Sequence, residues 1–528
     1  MDQQSTLLNV DILDEIFQWF DYEVIHGHPL MDLVTFKGYK SSRDVEVVRR
    51  RSLASASRVC KAFHEPALRV LWRQLESLMP LFSVIEPSFT KVQEDAEQPY
   101  DGSFCDTYHL PNHLSAREWM RLRKYATFVR TLYISSAVKP HRLTPDSWKS
   151  MTTLFGDQPV CPNLRMLKWA AEWPETELPG ILHFLSSTIE KVLLILCTHP
   201  ERTSTNLLPT WQAVVPGIIE KMCKRATRLS YLTVCTDELD ASELLTALSL
   251  SHPPTLRGLQ LYSQYGSPTI GLTSFMNMAR FVGLESLIWD APIERDSTVS
   301  LPTALELHNL RHLRIPIYRE CYPAYGIITS ARLQSLHIHH LLYASIAYVQ
   351  QTCATWARCF PNLEVLSTRL SLSDERPVPT CSLLTVASPL LALHKMRSFT
   401  IATMHGSFTI GDTDLEALSV AWPSLCELYI SGMPIPDNSS ASTVGMPGLL
   451  SLATNCPNLT ALSINHIVFR SEDAPVLPAV PMNHGLRKLV VIHGILPDVY
   501  HIIREKFFPK INLQPHDYEG ECGLYYAV

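Results

Sequence analysis

The chain has 528 residues, with 45 Lys and Arg against 51 Asp and Glu, 46% hydrophobic and 18% charged residues, and a formal net charge of −6. This is the composition of a folded chain, longer than one compact core usually holds, so several domains or an elongated array are expected. The acidic balance without a long basic run argues against nucleic acid or an anionic membrane as main partner, and the 20 glycines form neither G-x-G-x-x-G nor G-x-x-x-x-G-K-[ST], which argues against nucleotide chemistry and a bound cofactor.

In chain order, the opening MDQQSTLLNVD has no basic region followed by an apolar stretch, so no secretory signal is read there. Residues 7–20, LLNVDILDEIFQWF, set Leu8, Ile12, Leu13, Ile16, Phe17 and Phe20 on one helical stripe. Asn9 suits an N-cap, and Asp11 falls in the first turn, where the helix dipole favours it. Residues 21–51 are a polar stretch, and residues 53–75 form a second apolar segment with Leu53, Val59, Cys60, Phe63, Leu68, Leu71 and Trp72.

Leu8-Asn9-Val10-Asp11-Ile12-Leu13-Asp14-Glu15-Ile16-Phe17 resembles the first helix of the F-box, L-P-x-E-I-L-x-x-I-F, with Asn9 in place of the family's Pro. Val59, Cys60, Lys61, Phe63, Leu71 and Trp72 are similar to its V-C-[KR]-x-[FW]…L-W close. The resemblance implies an F-box domain over residues 1–80, with an insertion at 21–51. It further implies docking on the Skp-type adaptor of a cullin–RING ligase through Leu8, Ile12, Leu13, Ile16, Phe17, Val59, Cys60, Phe63, Leu71 and Trp72. Read without the resemblance, the same residues would cap the exposed end of a repeat array.

Residues 81–125 read as a linker leading into the array, with an acidic, turn-rich stretch at 93–113. Beyond it the phrase apolar-x-x-apolar-x-apolar recurs thirteen times between residues 126 and 494, once in the degenerate form LEVLST (363–368), from VRTLYI (129–134) through LRMLKW (164–169) and LRHLRI (310–315) to LRKLVV (486–491), its first positions 23 to 40 residues apart. Such a period is the signature of a solenoid. The last three places of each phrase predict a short strand buried on one face. Helices are predicted between phrases, as at 216–226, 344–360 and 412–425, with Asp412 as a cap and Pro as terminator. Four copies extend to one longer phrase, CPNLRML (161–167), FPNLEVL (360–366), WPSLCEL (422–428) and CPNLTAL (456–462), apolar at the first, fourth and seventh places.

These phrases resemble irregular leucine-rich repeats without the family's Asn ladder. The fold class expected is α/β, a helical F-box followed by a solenoid over 126–494 with strands on the concave side and helices on the convex side. Residues 495–528 are expected to close it. The ordering looks like a fungal, basidiomycete-type F-box protein.

The thirteen cysteines lack C-x-x-C pairs, and several occupy apolar places, so they read as core residues of an intracellular protein, cytoplasmic or nuclear. Apolar runs such as 192–197 are too short to span a bilayer. The HIHH stretch (337–340) lacks a complementary ligand set, which argues against zinc, and without a G-x-S-x-G elbow hydrolysis is not expected. The outward places should line the concave face: Lys168, Thr233, Gln260, Tyr262, Asp290, Arg314, His337, His339, Arg369, Tyr429 and Asn465. Of these, Tyr262, Arg314, His337, His339, Arg369 and Tyr429 are the candidate contacts to an unidentified target protein, with the histidines gaining charge below about pH 6.5. The function expected is a non-enzymatic substrate receptor of an SCF-type ligase; the alternative is a leucine-rich scaffold or inhibitor without a ligase role.

Overall fold

Each repeated phrase becomes a tight turn followed by a strand, and within each unit successive strands pair in parallel with the phrase residues in register. The computed structural model describes residues 10–18, 39–86, 88–92, 106–135, 141–171, 178–196, 208–236, 241–251, 254–262, 270–289, 293–294, 304–315, 328–372, 380–405, 407–431, 444–464, 467, 484–491 and 497–513. Leu8, Asn9, Phe20, Asp290, Asn465, the stretch 93–105 and the end of the chain lie outside them. Contacts divide the chain into two units, Met1–Leu239 with Leu250–Leu256 and Tyr518–Val528, and Asp240–Ser249 with Arg257–Asp517.

The first unit contains helices α1 (Val10–Gln18), α2 (Tyr39–Ala56), α3 (Lys61–Leu71), α4 (Ala116–Ala126), α5 (Pro145–Phe155) and α6 (Leu208–Arg225). Its parallel strands are β1 (Gln74–Leu75), β2 (Thr131–Ser135), β3 (Met166–Ala171), β4 (Lys191–Leu196) and β5 (Tyr231–Thr236), paired in that order. One buried row, Leu75–Leu132–Leu167–Val192–Leu232, crosses all five. The parallel pairing thus starts before residue 80, inside the segment expected to be helical. The expected linker 81–125 holds α4 and two strands, Thr90–Val92 and Asp106–His109, of a small separate sheet.

The second unit carries β6 (Gly258–Tyr262), β7 (Ser286–Trp289), β8 (His312–Ile315), β9 (Ser335–Ala344), β10 (Val365–Leu372), β11 (Ser398–His405), β12 (Glu427–Ser431), β13 (Ala461–Ile464), β14 (Lys488–Val491) and β15 (Asn512–Leu513). Its helices include α7 (Ile346–Cys359), α8 (Asp412–Ala421), α9 (Met446–Asn455) and α10 (Pro497–Lys506). The row Leu259–Leu287–Leu313–Leu336–Leu366–Phe399–Leu428–Leu462–Leu489–Leu513 runs through every strand. A second buried row, Ile315–Ile338–Thr368–Ile401–Ile430, holds one hydroxyl, and Thr368 Oγ1 has no hydrogen-bond partner. β15 carries the pairing past residue 494. The fold class is the expected one: α/β, a parallel repeat ladder with helices in the return segments.

The seven-residue phrase is explained by burial. Its first residues (Cys161, Phe360, Trp422, Cys456), fourth (Leu164, Leu363, Leu425, Leu459) and seventh (Leu167, Leu366, Leu428, Leu462) are all fully buried. Pro at the second place disfavours helical geometry in the residue before it. Accordingly Phe360, Trp422 and Cys456, which end α7, α8 and α9, share φ near −120 to −130° and ψ near 65° (−131/63, −123/65 and −117/69). Asn at the third place ties neighbouring repeats: Asn163 Nδ2 donates to the Thr127 carbonyl and Asn362 Nδ2 to the Ala331 carbonyl, at 2.9 and 2.8 Å.

Asp412 does not cap its own helix. Its Oδ1 accepts from the Gly445 and Gly448 amides at 2.7 and 3.0 Å, capping α9, while Asp414 Oδ2 accepts from the Gly411 amide at the start of α8. The helix start satisfied by Asp412 belongs to the next repeat, which local sequence does not encode. A Cβ at Gly448 would come within 2.6 Å of that carboxylate, so the glycine permits this approach.

Candidate interaction surfaces

The amphipathic stripe of α1 divides between two environments. Leu13 and Phe17 are 4% and 5% exposed and pack with Leu53, Ala67 and Val70 into a small core, Phe17 edge-to-face on Phe63 at 5.7 Å. Ile12 and Ile16 are each 50% exposed. Four residues apart, they share a helix face that the intrachain core does not cover.

The second apolar segment is not one helix. The chain leaves α2 at Ala56 and begins α3 at Lys61, with Val59 (69% exposed) and Cys60 exposed in the break. Phe63 and Leu71 pack partly against the same small core. Trp72 is half-buried, its ring 4.5 Å from that of Tyr125, so it packs within the first unit. Sequence reading missed Val47 and Val48, exposed on α2, because 21–51 was read as a polar insertion; the run Val45-Glu-Val-Val was the available signal.

On the second unit, strand register places outward residues side by side. Arg314, His337, Ser367, Thr400, Tyr429 and Ser463 form one lateral row across β8 to β13. Arg369 stands one outward place further along β10, opposite Ala402. Tyr262 lies two residues beyond Gln260 at the end of β6, and His339 lies on β9 within a register shift between Ile338 and Leu341; the side chains of both are outside the described residues. The register therefore brings Arg314 and His337 directly together, and Tyr429 three strands away from His337.

The outward row is less exposed than expected. Thr233 and Gln260 are 5% and 7% exposed, and Lys168 lies with its ammonium 4.3 Å above the Tyr133 ring, its pKa lowered by burial. Side chains on strands about 4.8 Å apart cover one another. The same crowding corrects the expectation for His337. Burial first, then the positive charges of Arg314 and His312, lower its pKa to about 4, and its Nε2 lies 2.8 Å from Ser335 Oγ. His337 is therefore a neutral hydrogen-bonding group at pH 6, not a cation. Tyr429 has the Lys488 ammonium 5.9 Å from its ring centre.

Among the described residues, no group of three His, Cys, Asp or Glu is placed to hold a metal ion, and no helix is long and apolar enough to cross a membrane. Burial pushes the thiols of Cys161, Cys223, Cys353 and Cys456 up to about 12, which leaves them as core side chains.

No protein-family model and no curated protein matches this sequence. Similarity is found among solved structures. One is a crystal structure of a protein from Bacteroides fragilis, with 12% identity, TM-score 0.26, and coverage of 62% of this chain and 73% of that one. Another is the crystal structure of the Rad7 and Elc1 complex in yeast, with 12% identity, TM-score 0.33, and coverage of 85% of this chain and 96% of that one.

Proposed function

We propose that the protein is a non-catalytic substrate receptor of an SCF-type cullin–RING ubiquitin ligase. The N-terminal helices dock on a Skp-type adaptor, and the repeat ladder holds a target protein for ubiquitin transfer by other subunits. Holding two reactants together is itself the contribution to rate. The observation that supports this reading is the division of α1: Leu13 and Phe17 complete an intrachain core, which leaves Ile12 and Ile16 exposed as a pair, and Val59 is exposed as well. An exposed apolar group of this kind marks an interaction site.

A second reading, that the helices cap the ladder of a scaffold protein, is favoured by the direct passage from α3 into β1 and by the tilted packing of Trp72 against Tyr125. Binding of the full-length protein to a purified Skp-type adaptor, measured by calorimetry, tests the proposal. A complex of micromolar or tighter affinity is expected. No heat of binding at about 100 μM adaptor, roughly −5.5 kcal/mol, would leave the capping role alone.

A further inference from the structure

The second place of each phrase forms a lateral stack of its own. Its carbonyl accepts two amides of the next repeat: Arg73 O from residues 130 and 131, Arg130 O from 165 and 166, Arg165 O from 190 and 191. In the second unit no two neighbouring rungs carry like charge at this place: it reads Arg257, Glu285, Arg311, Gln334, Glu364, Arg397, Cys426, Thr460 and Arg487. Arg257 pairs with Glu285 at 3.7 Å, and Arg397 with Glu364 at 3.9 Å.

In the first unit the same place reads Arg73, Arg130, Arg165 before the first acid, Glu190, which pairs with Arg228 at 3.4 Å. Three cationic rungs thus stand at strand spacing, about 4.8 Å apart. Arg69 lies one helical turn before Arg73, and its guanidinium meets Glu65 at 2.9 Å. Arg130 donates to the carbonyls of Thr127 and Asn163 at 3.1 and 3.2 Å, and Arg165 is exposed. Among the described residues, no carboxylate lies within ion-pair distance of Arg130 or Arg165. Partial burial, with the charges of Arg165, Arg73 and Arg69, holds the Arg130 guanidinium below the usual arginine range.

We propose that Arg130 and Arg165, with Arg73 on the adjoining rung, bind an oxyanion presented by a peptide segment, a phosphorylated side chain being the best fit. The planar fork of arginine matches phosphate oxygens in pairs, and a dianion between two rungs offsets a repulsion that the second unit removes with glutamates. Two steps of about 4.8 Å make a stack roughly 10 Å long, which suits one phosphate and not the row of phosphates a nucleic acid presents. The site shares no residue with the Ile12 and Ile16 face and does not require that the adaptor bind.

The test uses the full chain and fluorescence anisotropy with four probes: a Gly-Ser peptide carrying one phosphoserine, its unphosphorylated twin, a tetraglutamate peptide and a 12-nucleotide single strand of DNA. The phosphopeptide should bind at least about tenfold tighter than its twin and weaken as salt rises. Arg165→Glu should lose about tenfold or more in affinity, since it replaces a cationic rung with an acid beside Glu190. Arg165→Gln should lose affinity without disturbing the fold. Tetraglutamate binding as tight as the phosphopeptide would assign the same site to carboxylates. No phosphopeptide binding, equal binding of both Gly-Ser peptides, unchanged affinity in Arg165→Glu, or tighter binding of the DNA would each overturn the proposal.

Discussion

The proposed docking and the folding are separable on α1, because one face of the helix is internal and the other is not. Ile12 and Ile16 are 50% exposed, so docking has about half of each side chain left to bury. Full burial of an isoleucine contributes about 1.5–3 kcal/mol, so half contributes about 0.8–1.5, and the pair about 1.5–3 kcal/mol. Ile12→Ala with Ile16→Ala should therefore weaken adaptor binding by roughly ten- to 150-fold. Removing the half already packed should cost the fold about 0.8–1.5 kcal/mol per site. Phe17→Ala acts on the other face: Phe17 is 5% exposed among Leu13, Leu53, Ala67 and Val70, and its loss should destabilise the unit by about 3–5 kcal/mol. Trp72→Asp is not a clean docking variant, since Trp72 packs on Tyr125. Calorimetric titration with the adaptor gives the affinity, and circular dichroism melting gives the fold. Wild-type affinity in the folded Ile12/Ile16 variant would refute the assignment of this face.

Three further outcomes follow from the ladder. Leu313→Ala and Leu428→Ala, at positions 1% and 0% exposed, should each destabilise by about 2–5 kcal/mol in urea melts, while Tyr429→Ala on the outward row should cost far less; equal losses would mean the register is misassigned. Thr368→Val replaces an unpartnered buried hydroxyl with a methyl between Ile338 and Ile401, and should raise stability by about 1 kcal/mol; a lower melting temperature would contradict it. His337, whose folded pKa of about 4 lies below its ordinary value, binds its proton more readily unfolded. Its contribution is present above about pH 6.5 and is lost as pH falls towards 4, so acid should destabilise the wild type more than His337→Gln, and an NMR titration of the ring placing its pKa above 6 would reverse that sign.

What the sequence made legible was whatever one repeat carries within itself. The phrase apolar at places one, four and seven is a record of burial, and all twelve of those residues in the four longer copies are fully buried. Helix ends were legible for the same reason, since Pro361, Pro423 and Pro457 act on the residue directly before them. β1 was missed because its segment, Trp72-Arg-Gln-Leu75, lacks the third apolar place, yet it pairs with β2 through Leu75 and Leu132. The misreadings share a different cause: they concern neighbours supplied by another repeat or another helix. Asp412 looked like the cap of α8 because it stands at its start, but the amides it satisfies are 33 and 36 residues away. His337 looked like a solvent-facing switch because strand alternation turns it outward, but burial within the row, and then Arg314 on the adjacent strand, keep it neutral. The α1 stripe named the apolar residues without dividing them, because a helical period does not distinguish a face packed on Leu53 and Val70 from one left open. The arginine stack is visible only laterally: each Arg is ordinary within its own phrase, and Arg73, Arg130 and Arg165 become one feature when the backbone sets them on successive rungs. In a repeat fold the single repeat specifies the core, and the chemistry of the surface is specified by what the register places side by side.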